Sequence, residues 1–110
     1  MDLNTAANAL RELGHPTRLS VYRELVRAGH EGLPVGELQK HLGIPASTLS
    51  HHLSALMSAG LVSQERQSRT LVCRPCYAQL ERLMAFLTEE CCAGSICSLS
   101  HVNFPEENSS

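Results

Sequence analysis

The chain has 110 residues, a net charge of −2, 43% hydrophobic residues, no tryptophan and only four other aromatics. That length allows one small domain near the lower limit for burying its own core; no run approaches the ~20 apolar residues of a membrane span, and the charged, alternating MDLNTAANALRELG does not read as a secretory leader. Five cysteines, an odd number in a chain expected in the cytosol, fit metal binding, redox chemistry or packing better than a disulfide framework.

Leu3, Ala6, Ala7, Leu10 and Leu13 recur at helical spacing and predict a short first helix ending at Gly14. Pro16 opens a second helix, where its missing N–H is harmless. Leu19, Tyr22, Leu25 and Val26 form the apolar face of that helix, and Gly29 stops it. Residues 30–34 read as a connection. VGELQKHLGI predicts a helix over 35–42 with Leu38 and Leu42 inward and Gly43 as its breaker. PASTLSHHLSALMSAG predicts the next, with Leu49, Leu53, Leu56 and Met57 as a buried stripe and Gly60 as its stop.

Two short helices across Gly43, Ile44 and Pro45 match a helix-turn-helix. The outer face of the second carries Ser47, Thr48, Ser50, His51 and Ser54, all small or polar hydrogen-bonding groups. LVSQERQSRTLVCRP alternates as a two-stranded hairpin with a charged tip around Gln67, Ser68 and Arg69, ended by Pro75. Tyr77, Leu80, Leu83, Met84 and Leu87 predict a last helix to about Glu90, and the chain loosens from Ala93 onward. The expectation is a mainly α fold with a small β-hairpin, a winged helix-turn-helix. Residues 1–92 are expected to form that DNA-binding domain, and residues 93–110 a flexible, cysteine-containing tail.

Charge is unevenly spread. Between residues 38 and 75, Lys40, Arg66, Arg69 and Arg74 face the single acid Glu65, whereas the remainder holds five basic and ten acidic residues. A mildly basic island in an acidic chain is compatible with a DNA-facing surface.

LGHPTRLSVYRELV, then STLSHHLSALMSAGLV, a short wing and one more helix resemble the ArsR family of metal-responsive bacterial repressors over about residues 10–92. The strongest element is Ser47 to Leu53 followed by Ala59-Gly60-Leu61-Val62, similar to that family's recognition helix and its exit into the wing. The resemblance implies a homodimer through the first and last helices that binds an imperfect palindrome and releases it when an inducer binds. It implies no enzymatic activity. Ser47, Thr48, Ser50 and His51 are then expected at base edges and phosphates of the major groove. Arg66, Gln67 and Arg69 are expected on backbone or minor groove, and Lys40 on a phosphate. The bland alternative is an ordinary solvated helix face. A two-fold dimer suits the physics, since it buries apolar faces that 110 residues cannot cover. It also sets two recognition helices ~34 Å apart.

The family resemblance implies several alternative sensor sites, and two are missing here. Leu33 to Leu38 contains no Cys-x-Cys, and the last helix carries no histidine. What remains is TEECCAGSIC. Cys91 and Cys92 cannot share one side of a regular helix, and Ala93-Gly94-Ser95 lets the chain turn so that Cys97 joins them. The trio resembles that of arsenite sensors with a cysteine pair and a third cysteine after the last helix, at a somewhat different gap. Three thiolates suit a pyramidal soft ion, As(III) or Sb(III). Thiol-redox, persulfide, or Cd(II) and Zn(II) sensing on the same scaffold stays open, as does simple packing. Cys73 and Cys76 lack a second pair at zinc-ribbon spacing; Cys73 is expected in the core and Cys76 at the start of the last helix.

Overall fold

In the computed structural model, which describes residues 1–89, five helices enclose a core and a three-stranded sheet closes one side. Helix α1 is Leu3–Leu13, capped by the Asp2 carboxylate, which accepts from the Thr5 N–H at 2.7 Å. That bond holds the Asp2 carboxyl below its usual range. Helix α2 is Pro16–Ala28, with His15 as its cap and Pro16 in the first turn. A single 3-10 turn, Gly29–Glu31, leads to β1 (Leu33–Pro34). Helix α3 is Val35–Leu42, α4 is Ala46–Ser58, β2 is Val62–Gln67, β3 is Thr70–Pro75 and α5 is Tyr77–Thr88.

The core is built from one stripe of each helix. Val21 and Leu25 of α2, Leu38 of α3, and Leu49, Leu53 and Leu56 of α4 are fully buried, together with Leu61 and Cys73. Each such side chain contributes roughly 1.5–3 kcal/mol of apolar burial. Met57 and Leu42 pack at its margin. The β2–β3 ladder runs antiparallel from Val62 against Pro75 to Gln67 against Thr70.

Three details differ from the pattern reading. Residues 30–34 are not a plain connection: Leu33 and Pro34 pair with Cys73 and Val72, giving the sheet order β1-β3-β2. Proline is tolerated there because β1 is an edge strand and need not donate on its open side. On α1 the buried residues are Ala6 and Ala9, not Ala7, and on α2 Leu19 is 41% exposed. Leu3, Leu10, Met84 and Leu87 are exposed as well, on α1 and α5, two helices that pack against each other. Among the described residues no helix is long and apolar enough to cross a membrane.

Candidate nucleic-acid interface

The turn between α3 and α4 rests on Gly43, which caps α3 in the left-handed region at φ +64 and returns its N–H to the Gln39 carbonyl at 2.8 Å. Glycine reaches that conformation without the Cβ clash that other residues meet. Ile44 and Pro45 follow, and α4 starts at Ala46. With Leu49, Leu53 and Leu56 turned into the core, Ser47, Ser50, His51 and Ser54 are left fully outward, and Thr48 is half-buried at the edge. The first two turns of α4 therefore present hydroxyls and an imidazole with no large apolar group among them.

The wing, formed by β2 and β3, packs on α4 through β2. Its tip is a two-residue loop in which Ser68 takes φ +61 and Arg69 projects outward. Arg74 is committed to the wing itself. It pairs with Glu65 across the ladder at 2.7 Å and donates to the His30 carbonyl at 3.1 Å. Of the four basic residues in the positive stretch, Arg74 is thus structural. Arg66 and Arg69 have no carboxylate partner among the described residues, and Lys40 holds only an exposed pair with Glu37 at 3.7 Å. Such a pair is worth little and yields readily to a phosphate. Lys40, Arg66 and Arg69, with Glu37, Thr70 and Leu71, line one groove of about 600 Å³ between the N-terminal end of α3 and the wing. Gln67 is exposed near the tip, within hydrogen-bonding reach of Glu65.

Beneath the outward face lies a group that the pattern reading missed. His52 is 4% exposed and is the one buried polar or charged side chain among the described residues. Its Nδ1 accepts from Arg18 Nε at 3.2 Å, and Arg18 also donates to the Glu12 carboxylate. The His15 ring lies 4.8 Å from that of His52, and the His51 ring 5.7 Å. Burial lowers the His52 pKa, and the Arg18 guanidinium, His15 and His51 lower it further. A sequence signal existed, because positions 49, 52, 53 and 56 have the spacing of one helix stripe.

Cys91, Cys92 and Cys97 lie outside the described residues. Cys73 is in the core as expected, with its sulfur 3.4 Å from the Gln64 amide, and burial pushes its thiol pKa up. Cys76 occupies the N-cap position of α5 without a side-chain capping bond and is half-buried. Among the described residues no group of three His, Cys, Asp or Glu side chains could hold a metal ion.

A helix-turn-helix domain family matches residues 13–65. The chain is 34% identical over 90 residues to the biofilm growth-associated repressor of Xylella fastidiosa (strain 9a5c), covering 82% of this chain and 76% of that protein. Its fold is similar to that of an ArsR-like transcriptional regulator from Rhodococcus sp. RHA1, with a TM-score of 0.68 and 25% identity over 76% of each chain. A solved structure described as a possible transcriptional regulator for arsenical resistance matches with a TM-score of 0.64 and 29% identity, over 73% of this chain and 80% of that one.

Proposed function

The chain belongs to the ArsR-type winged helix-turn-helix family of DNA-binding transcriptional regulators, which are not enzymes, and we propose that it is a homodimeric repressor whose hold on operator DNA is released when Cys91, Cys92 and Cys97 bind As(III) or Sb(III). The observation that carries the DNA-binding part is the pairing of an all-polar outer face on α4 with a groove lined by Lys40, Arg66 and Arg69. Ser47, Thr48, Ser50 and His51 then read base edges, while Arg66, Gln67, Arg69 and Lys40 hold the backbone and set the register. Three cationic groups per chain double in a two-fold dimer, and operator affinity falls with salt accordingly.

The inducer part rests on the donor set. Three thiols stand within seven positions directly after α5, and soft three-coordinate ions prefer sulfur over the nitrogen and oxygen ligands elsewhere in the chain. Of the two cysteines in the described region, Cys73 is buried in the core, and Cys76 stands half-buried at the start of α5. A solved relative described as possibly regulating arsenical resistance supports the same chemistry. Because α5 packs on α1, and α1 on α4, order imposed just beyond α5 reaches the reading helix through two interfaces. Useful derepression needs about a 10²-fold loss of affinity, about 3 kcal/mol of coupling.

Two measurements test the reading. Selection of duplexes from a random pool should return half-sites about one helical turn apart, ~34 Å; failure to enrich any sequence sinks the DNA assignment. Titration of the reduced protein with As(III) should develop sulfur-to-arsenic charge-transfer absorption that saturates at one ion per chain. Absence of that band, or its persistence when serine replaces all three tail cysteines, contradicts the inducer assignment. Release of DNA by an oxidant alone supports a thiol-redox repressor instead.

A further inference from the structure

The buried histidine of α4 has no part in the reading above, yet it ties the reading helix to both helices beneath it. We propose that His52 is the positioning residue of the recognition helix: accepting the Arg18 N–H as a neutral imidazole, it locks α4 to the α1–α2 junction, and proton uptake at His52 unlocks it and weakens DNA binding. The proposal rests on the DNA-binding reading and goes beyond it.

The geometry specifies which tautomer the lock needs. Arg18 Nε carries a hydrogen and cannot accept, so His52 Nδ1 at 3.2 Å must be the bare nitrogen, and the ring proton resides on Nε2. A proton added at Nδ1 destroys that acceptor and sets an imidazolium against a guanidinium. Arg18 cannot swing away freely, because it is anchored at its far end by the Glu12 carboxylate and carbonyl of α1, with its side chain 11% and that of Glu12 15% exposed. The titratable and charged groups facing His52 are Glu12 from α1, His15 from the α1–α2 junction, Arg18 from α2 and His51 from α4 itself. Only one of these is an acid, and it is already bonded to Arg18. A second buried cation therefore has no partner, and burial of an unpaired charge is the outcome a protein avoids by moving.

Its neighbour on the chain, His51, is exposed and is a candidate base contact. Loosening His52 shifts the first turns of α4, which carry Ser47, Ser50 and His51. The link also runs to α1, so the same lock is a physical route between the face that packs on α5 and the face that meets DNA.

The sign of the pH effect distinguishes this lock from ordinary electrostatics. A base whose folded-state pKa is depressed gives stability that is complete above its ordinary value of about 6.5 and is lost as pH falls below it. Exposed histidines near DNA act in the opposite sense, since their protonation adds positive charge and strengthens binding.

The test uses the full chain and a duplex selected by the wild type at pH 7.5. Operator affinity is measured from pH 7.5 to 5.5 for the wild type and for His52→Asn, whose side-chain oxygen replaces the Nδ1 acceptor but does not titrate. Circular dichroism is followed in parallel. With both proteins folded, the ratio of His52→Asn affinity to wild-type affinity is expected to rise as pH falls to 5.5, by less than the ~tenfold that titration at the ordinary histidine value would give. Imidazole ¹⁵N shifts of the free protein should show His52 protonated at Nε2 and titrating below 6.5. A constant affinity ratio across the range, or a His52 that titrates at or above 6.5, overturns the lock. Wild-type protein that binds no duplex at pH 7.5 overturns the DNA-binding reading and the lock with it, whereas the ¹⁵N shifts judge the lock alone.

Discussion

Tyr22 carries its hydroxyl into the core, where no hydrogen-bond partner meets it among the described residues. Burial pushes its phenol pKa up to about 12, with smaller contributions from Cys76 and Tyr77. A hydroxyl desolvated without a partner opposes folding by about 1–3 kcal/mol. Tyr22→Phe, which keeps the ring, is therefore expected to leave the melting temperature unchanged or raise it; a lower melting temperature shows that the hydroxyl is bonded. Tyr77 is the contrasting case, since its hydroxyl donates to the Val26 carbonyl at 3.3 Å and its ring lies 4.7 Å from that of His30. On the DNA side, Arg69→Ala and Arg66→Ala should each weaken operator binding across all sequences and reduce the slope of log affinity against log salt by about one. Arg74→Ala should instead act on wing stability, because its guanidinium is occupied by Glu65 and His30. Equal salt slopes for all three variants would contradict that division.

Two glycines set the elements around the interface, for different reasons. A Cβ on Gly43 meets nothing within 4 Å, so Gly43→Ala pays only for the left-handed backbone, about 1 kcal/mol. A Cβ on Gly32, also at positive φ, would lie 2.5 Å from the Cys73 carbonyl oxygen in the neighbouring strand. Gly32→Ala must therefore push β1 off β3 and should be clearly the more destabilising of the two in urea denaturation; the reverse order would show that the sheet edge yields easily. These elements were legible in the sequence to different degrees. The boundaries of α3 and the extent of the β2–β3 hairpin follow from Gly43, Pro75 and two runs with apolar outer ends flanking the polar tip at Gln67, Ser68 and Arg69, local signals that tertiary packing does not disturb. The strand β1 was not legible: two residues ending in proline carry no period, and only their pairing with Cys73 and Val72 defines them. His52 was hidden for another reason. Its spacing marks it as inward, but residue type favours the surface, and the partner that makes burial tolerable, Arg18, lies 34 positions away.

At the scale of the molecule, the described chain is a reading head whose supporting helices expose apolar surface. Leu3 is 70%, Met84 57% and Leu87 56% exposed on the paired helices α1 and α5, a patch suited to a second copy of the same chain. Replacing Leu3, Met84 and Leu87 together by glutamate should give a monomer in sedimentation while helix content persists, and operator affinity should collapse as the two half-sites lose their linkage. A variant that remains dimeric places the interface elsewhere. Within such a dimer the same two helices connect the end of α5 to α4, the route by which the proposed ion beyond α5 would act on the DNA face. That coupling is the centre of the account, and fluorescence anisotropy of a labelled operator with reduced protein measures it directly as As(III) is added. The wild type should lose affinity about 10²-fold, and a variant with serine at positions 91, 92 and 97 should bind the operator normally and ignore As(III). Wild-type protein that keeps its operator at saturating As(III), or a triple-serine variant released just as readily, contradicts it.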